Sequence, residues 1–153
     1  MNQPKIMYHF SNVEQSTITV VDGKLSDIEN FDDLSLEHWV CFNDKKPIFN
    51  IGYLGTLRVV IAKDDNQSIG YVFYGLFRSP YYDETWCQID MFFLKPEYRK
   101  KGIGKKMFNL VEKIAKENGC KRLIASYNLK ESLEVFYKKF GFNATHVAVA
   151  KEI

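Results

Sequence analysis

The stretch Arg99-Lys100-Lys101-Gly102-Ile103-Gly104 decides the fold of this chain, because it joins a strand pattern to the strongest helical pattern in the sequence. Glycines let a backbone approach a ligand closely, and the first four N–H groups of a helix have no partner inside the helix. These groups lie at the positive end of the helix dipole, so they suit an anion such as a phosphate. The stretch matches neither a P-loop nor a three-glycine dinucleotide fingerprint. It therefore predicts either an anion site or a tight turn covered by solvated lysines.

Helical periodicity begins directly after this turn. Apolar residues recur every three or four positions over residues 103–118, and Gly119 supplies a C-terminal stop. Before the turn, residues 85–94 have a strand pattern that ends at Lys95-Pro96, since proline cannot donate to a strand ladder. The patterns after the helix predict a strand at 122–126, a helix at 131–140 and a strand at 146–151.

The first half of the chain is richer in strands. β-branched residues predict a strand at 16–21. A short amphipathic helix is predicted at 32–42, with Asp32 or Asp33 as its N-cap. Two further strand patterns lie on either side of a polar turn, and together they predict an antiparallel hairpin. These two strands are at 57–62 and 69–77.

Length and composition fit a single domain over residues 1–153. The chain is 46% hydrophobic and 15% aromatic, which is enough for one buried core. The net charge of +2 gives no argument for nucleic acid or an anionic membrane as the main partner. The N-terminus lacks a secretory signal, and no apolar stretch approaches the ~20 residues that span a bilayer. We therefore expect a soluble, unprocessed protein.

The cysteines and histidines do not have the spacing of metal ligands, so no metal is expected. An odd number of cysteines without a loop framework fits reduced thiols in a cytoplasmic protein. The cysteines are Cys41, Cys87 and Cys120. We interpret the histidines as structural by default. They are His9, His38 and His146.

Two sequence blocks resemble the GNAT superfamily of acyl-CoA-dependent N-acetyltransferases. The family signature, Gln/Arg-x-x-Gly-x-Gly/Ala between the fourth strand and the third helix, matches residues 99–104. The preceding residues 89–98 are similar to the family's strand and its Pro-Glu-Tyr approach to the loop. The second block, Phe136-Tyr137-Lys138-Lys139-Phe140-Gly141-Phe142, resembles the family's Phe/Leu-Tyr-x-x-x-Gly-Phe ending. Together the resemblance covers residues 85–142, and the preceding hairpin is consistent with it.

The resemblance implies an α+β fold and an enzymatic activity. The implied fold is a mixed, mostly antiparallel, twisted sheet of six to seven strands, with helices on both faces and a splay between the fourth and fifth strands. The implied activity is acetyl transfer from acetyl-CoA to a primary amine by direct attack in a ternary complex. The amine belongs to a small molecule or a protein that the sequence does not identify. The family also contains many dimers, so a homodimer stays open.

The resemblance also implies a cofactor site. Main-chain amides of the loop would hold the pyrophosphate, and the pantetheine arm would pair with the fourth strand. Asn128 resembles an asparagine that touches this arm, and its alternative role is an ordinary turn or helix-capping residue. The loop residues are Arg99, Lys100, Lys101, Gly102, Ile103, Gly104 and Lys105. The strand residues are Phe92, Phe93 and Leu94, and free amides near the first two would polarise the thioester carbonyl.

Two side chains are candidates for catalysis. Tyr137 matches the family tyrosine that protonates the departing CoA thiolate, or it packs its helix against the sheet. On the acceptor side, a lysine-like amine of pKa near ~10.4 costs about 4 to 5 kcal/mol to deprotonate at pH 7. Asp90 is the candidate base, or else a solvated or paired strand residue, and alternation places it on the face of Gln88 and Phe92. Gln88 itself cannot be a base, because an amide does not take up a proton.

Two other classes of function compete with an enzyme. A non-catalytic acyl-CoA-binding or partner-binding module would keep the fold and the loop without turnover. A nucleic-acid-binding protein would use residues 99–106 on phosphates. The small net charge and the lack of a second basic, aromatic-interleaved stretch argue against nucleic acid.

Overall fold

The computed structural model describes residues 17–41, 50–127, 133–145, 149 and 151. The described strands are β1 (Ile18–Gly23), β2 (Arg58–Asp64), β3 (Gln67–Arg78), β4 (Thr85–Leu94) and β5 (Arg122–Ala125). The helices are α1 (Phe31–Val40), α2 (Ile51–Leu54), α3 (Ile103–Glu117) and α4 (Glu134–Lys139). Single 3-10 turns at Leu25–Asp27 and Pro96–Tyr98 precede α1 and the loop before α3.

The strands form one mixed sheet in the order β1-β2-β3-β4-β5. The first four are antiparallel neighbours, and β5 runs parallel to β4. The register between β4 and β5 covers only Trp86 to Ile89 of β4 and ends at Ala125. No described strand pairs with the second half of β4 on that side, which is the opening that a splay between the two strands requires.

The sheet has helices on both faces, as the resemblance implies. On one face, α3 packs buried side chains such as Met107 and Val111 against Val60, Val72 and Ile89. On the other, Phe31 and Leu34 of α1 and Leu54 of α2 pack against Tyr71 and Phe73. The middle strands are therefore buried on both sides, which explains their nearly continuous apolar sequence.

The long helix predicted from the apolar periodicity is confirmed, since α3 begins and ends within one residue of its predicted range. The N-cap prediction for α1 is wrong. The helix begins after Asn30, and Asp32 and Asp33 lie in its first turn, where carboxylates suit the positive end of the helix dipole. The predicted sheet has six to seven strands, and the described residues contain five of them. The sixth predicted strand, at 146–151, falls almost entirely outside the described residues.

The helix predicted at 131–140 is confirmed as the shorter α4, and residues 131 and 132 lie outside the described part. The four-residue helix α2 was not predicted, because one turn is too short to show a period. Among the described residues, no helix is long and apolar enough to cross a membrane.

Candidate active site

A cavity of about 540 Å³ opens beside the second half of β4. Its walls come from α1, α2, β4, the end of β5 and α4. Asp90 and Tyr137, the two predicted catalytic residues, both line it. The other polar or aromatic lining residues are His38, Trp39, Asn50, Tyr53, Phe92, Ser126 and Tyr127.

A β-bulge at Asp90 sets the orientation of the β4 side chains. Phe73 and Tyr74 are consecutive on β3, but their partners on β4 are Met91 and Ile89, so Asp90 is skipped in the register. A bulge of this kind shifts the alternation of side chains by one position. Ile89 accordingly packs on the α3 face of the sheet, and Met91 packs on the α1 face.

The bulge corrects one sequence prediction. Strict alternation placed Gln88, Asp90 and Phe92 on one face of β4. Gln88 and Asp90 do share a face, because their side chains are hydrogen-bonded, but Phe92 packs with the cluster on the α3 face. The prediction was wrong because it assumed an unbroken ladder.

Two neutral side chains hold the carboxylate of Asp90. Gln88 donates from Nε2 to Oδ1 at 2.7 Å, and Tyr53 donates from its hydroxyl to Oδ2 at 2.9 Å. Donation to Asp90 raises the pKa of the Tyr53 hydroxyl, so it stays protonated as a donor near neutral pH. Tyr53 is itself fixed by α2, where the N-cap Asn50 accepts a hydrogen bond from its main-chain N–H. Gln88 thus orients a carboxylate, although it cannot be a base.

Tyr137 both packs and reaches the cavity. Its side chain is 6% exposed, and its ring stacks on Tyr127 with centroids 5.6 Å apart. Phe108 and Phe142 also contact this ring in T-shaped arrangements. Packing fixes the ring in the wall that Asp90 also lines, so the two roles considered for Tyr137 are compatible.

The loop before α3 turns sharply into the first turn of that helix. Gly102, the N-cap of α3, has a left-handed φ of 79° and no side-chain cap bond. Lys100 also has a positive φ, of 60°. The loop lysines Lys100, Lys101 and Lys105 are exposed. The N–H groups of the first turn of α3 therefore lie beside cationic side chains, and they suit a phosphate.

Arg99 connects this loop to β4. Its Nε donates to the main-chain oxygen of Leu94 at 2.8 Å, and its guanidinium lies over the Phe93 ring, 5.8 Å from the centroid. Gly104 approaches β4 as well, since a Cβ at this position would lie 3.4 Å from the ring of Phe92. The predicted pyrophosphate and pantetheine residues are thus adjacent in the fold.

The sequence of the chain matches the model of a known protein family. The model of the acetyltransferase (GNAT) family matches residues 24–142, which is well over half of the chain. This chain belongs to the GNAT family. The match includes α1, the bulged strand, the loop and α4, so it covers every described wall of the cavity.

A curated relative with similar sequence is an acetyltransferase named for polyamines. The spermine/spermidine N(1)-acetyltransferase of Bacillus subtilis (strain 168) is 37% identical over 87 residues, covering 51% of this chain and 54% of the relative. The chain therefore matches about half the length of this relative.

Solved structures share the fold at low sequence identity. A ribosomal-protein-alanine N-acetyltransferase from Brucella melitensis biovar Abortus 2308 aligns with a TM-score of 0.74 and 17% identity, over 90% of this chain and 99% of that chain. An aminoglycoside acetyltransferase from an uncultured soil metagenomic sample, in complex with sisomicin, aligns with a TM-score of 0.72 and 14% identity. That alignment covers 89% of this chain and 96% of the other.

The cavity beside β4 is also lined by His38, which the sequence analysis interpreted only as a structural histidine. The Tyr71 hydroxyl lies 2.7 Å from Nδ1 of His38, and the His38 imidazole stacks on the Phe93 ring with centroids 4.8 Å apart. Burial, and then the charge of Arg99, lower the pKa of His38 to about 4. His38 is therefore neutral at pH 7. Its position in the wall was not predicted, because the contact with Tyr71 joins residues distant in sequence.

Asn128 and a metal site are the two remaining points of the sequence analysis. Asn128, the predicted contact of the pantetheine arm, lies outside them. Within the parts of the chain that the structure describes, no cluster of three or more histidine, cysteine or acidic side chains could hold a metal ion.

Proposed function

We propose that this GNAT chain transfers the acetyl group of acetyl-CoA to a primary amine by direct attack in a ternary complex. One observation carries the proposal: Asp90 and Phe92 of β4 line one cavity together with Tyr137 of α4, and Arg99 joins the end of that strand to the glycine loop before α3. The cofactor supplies an activated acetyl thioester. The protein supplies position, charge and a proton.

The loop fits the pyrophosphate of acetyl-CoA. Main-chain N–H groups of residues 103–105 begin α3, where a helix offers unpartnered donors and a positive dipole end. Gly102 keeps the tight turn, and Lys100, Lys101 and Lys105 add positive charge. In the proposal these amides carry most of the contact, because lysines on a solvated surface contribute little each.

The second half of β4 fits the pantetheine arm. An extended chain with amides can pair with an exposed strand edge through main-chain hydrogen bonds. No described strand occupies this edge beyond Ile89. Main-chain N–H groups near Phe92 and Phe93 would then polarise the thioester carbonyl and stabilise the oxyanion that forms during attack.

Tyr137 is the proposed proton donor to the departing thiolate. The acceptor ammonium first loses one proton to solvent, and the proton that its nitrogen gives up as the amide forms restores the tyrosine. Its ring is clamped by aromatic neighbours, so the hydroxyl has a fixed direction in the wall of the cavity. A positioned acid of this kind contributes about 10²- to 10⁴-fold to a rate.

The acceptor in this proposal is a primary amine, and the names of relatives support that class. Spermine, spermidine and aminoglycosides all carry several amines, and each appears in the name of a protein similar to this chain. Asp90 adds a negative charge to the cavity wall that suits a cationic acceptor. We also place the enzyme in the cytoplasm, which agrees with free thiols at Cys87 and Cys120.

Two measurements test this function. Calorimetric titration with acetyl-CoA tests the cofactor site, and no binding at millimolar ligand would refute it. Thiol release is then measured with polyamines, amino sugars, amino acids and lysine peptides. Release that depends on an amine supports transfer, whereas binding of acetyl-CoA without any release identifies a non-catalytic binding module.

A further inference from the structure

The negative charge of Asp90 is not matched by a basic side chain of the described residues. Both hydrogen-bond donors to its oxygens, Gln88 and Tyr53, are neutral. The ion pairs of the described residues involve other acids, such as Asp22 with Arg58 and Glu37 with Lys95. The wall of the cavity thus contains a carboxylate whose charge an occupant can neutralise.

The carboxylate is held more firmly than a solvated strand residue would be. The bulge removes Asp90 from the register of β4, and donors from two different elements then fix one oxygen each. A carboxylate has about four lone-pair sites, so one on each oxygen is left for a ligand. The arrangement fixes a direction in which a further donor can approach.

The surrounding side chains suit an alkylammonium group. Such a group offers three N–H donors and a positive charge. The aromatic rings of Trp39, Tyr53 and Tyr127 line the same cavity, and aromatic faces attract cations. An anionic acceptor would be repelled by Asp90.

A group bound to Asp90 would differ from the group that reacts. An amine must lose its proton before it attacks the thioester, but a neighbouring carboxylate favours the charged ammonium form. The bonded carboxylate is thus better suited to holding a charge than to removing a proton.

We infer that Asp90 anchors a second, charged amine of the acceptor, and that Tyr53 and Gln88 are positioning residues for this anchor. The acceptor is accordingly a diamine or polyamine, with one amine reacting near Tyr137 and another bound as an ammonium at Asp90. This inference rests on the proposed function and replaces the role of general base for Asp90.

The test compares diamines of increasing length and spermidine with monoamines of the same chain length. Purified wild-type protein should acetylate diamines with the higher kcat/KM. The variant Asp90→Asn should lower the ratio of kcat/KM for diamine over monoamine about tenfold or more, mainly through KM. Tyr53→Phe should lower the same ratio about three- to tenfold, also through KM and with little change in kcat, which a merely structural defect would not reproduce.

Matched controls are Asp83→Asn, which removes an exposed carboxylate paired with Arg78, and Tyr81→Phe, which removes an exposed hydroxyl. Both should leave the ratio unchanged, and each variant's affinity for acetyl-CoA reports whether it is folded. Two results would overturn this inference and leave the proposed function standing. One is an equal loss of kcat/KM for diamines and monoamines in Asp90→Asn, and the other is a wild-type enzyme with the same kcat/KM for both classes of amine. Failure to acetylate any amine would instead refute the proposed function.

Discussion

Arg99 donates from Nε to the main-chain oxygen of Leu94 at 2.8 Å, and this bond joins the start of the loop before α3 to the last residue of β4. The guanidinium also lies over the Phe93 ring, in the same strand. The two parts of the proposed acetyl-CoA site therefore share one fixed connection. Changes at Arg99 should affect cofactor binding even where positive charge is conserved.

Arg99→Lys tests that connection. Lysine keeps the charge but lacks the planar fork that serves Leu94 and Phe93 together. We expect the Kd for acetyl-CoA, measured by calorimetry, to rise about five- to tenfold, which corresponds to roughly 1 to 1.4 kcal/mol. The matched variant Arg78→Lys, on the exposed end of β3, should bind like wild type. Equal affinities for Arg99→Lys and wild type would show that Arg99 contributes charge alone.

The two loop glycines should respond differently to alanine. Gly102 has a left-handed φ of 79°, although a Cβ there would meet no atom within 4 Å. Gly102→Ala should therefore cost about 1 to 2 kcal/mol of unfolding free energy through backbone strain alone. Gly104 lies inside α3, so Gly104→Ala should keep stability within about 1 kcal/mol.

Gly104→Ala should nevertheless weaken acetyl-CoA binding. Its added methyl group would lie 3.4 Å from the Phe92 ring, between the start of α3 and β4, where the proposed cofactor site joins the loop to the strand. Urea unfolding and calorimetry on both variants separate the two effects. Unchanged acetyl-CoA affinity in Gly104→Ala would place the cofactor away from the space between α3 and Phe92.

Tyr137→Phe should separate chemistry from binding. Phenylalanine preserves the stacking on Tyr127 and removes only the proposed proton donor. We expect kcat to fall about 10²-fold, with the Kd for acetyl-CoA unchanged. Tyr81→Phe, at an exposed tyrosine, is the control. A normal kcat in Tyr137→Phe would leave this residue with its packing role only.

His38 should make the protein less stable in mild acid. Its pKa is about 4 in the folded protein and 6.5 in its ordinary state. The unfolded chain therefore binds more protons in this range, and stability falls as the pH falls. Between pH 8 and pH 5 the free energy of unfolding should drop by about 2 kcal/mol.

Urea unfolding across that pH range checks this expectation. His38→Gln can still accept a hydrogen bond from Tyr71 but has no titrating ring. Its unfolding free energy should change much less between pH 8 and pH 5. The same pH dependence in both proteins would assign the effect to other groups.

The sequence predicts those parts of the fold that depend on local patterns. Repeating apolar residues identify α3, glycines identify the loop, and Pro96 identifies the end of β4. Two sequence blocks that resemble the family are enough to bring Asp90 and Tyr137 into one hypothesis, and the structure then places both in one cavity.

The missed features depend on contacts between distant residues. The bulge at Asp90 exists only in the register of β4 with β3, so alternation along β4 gave the wrong face for Phe92. Tyr53 belongs to a single helical turn, and its bond to Asp90 joins positions 37 residues apart. A pattern within one segment cannot reveal such pairs.

The central claim is that this protein transfers acetyl groups from acetyl-CoA to amines, and release of CoA thiol tests it most directly. Thiol is measured with acetyl-CoA alone, with spermidine alone and with both together, and mass spectrometry follows the acetylated amine. We predict thiol and acetylspermidine in equal amounts only when both substrates are present, and about 10²-fold more slowly with Tyr137→Phe. Acetyl-CoA binding without an acetylated product, across spermidine and the other amines, would contradict the claim.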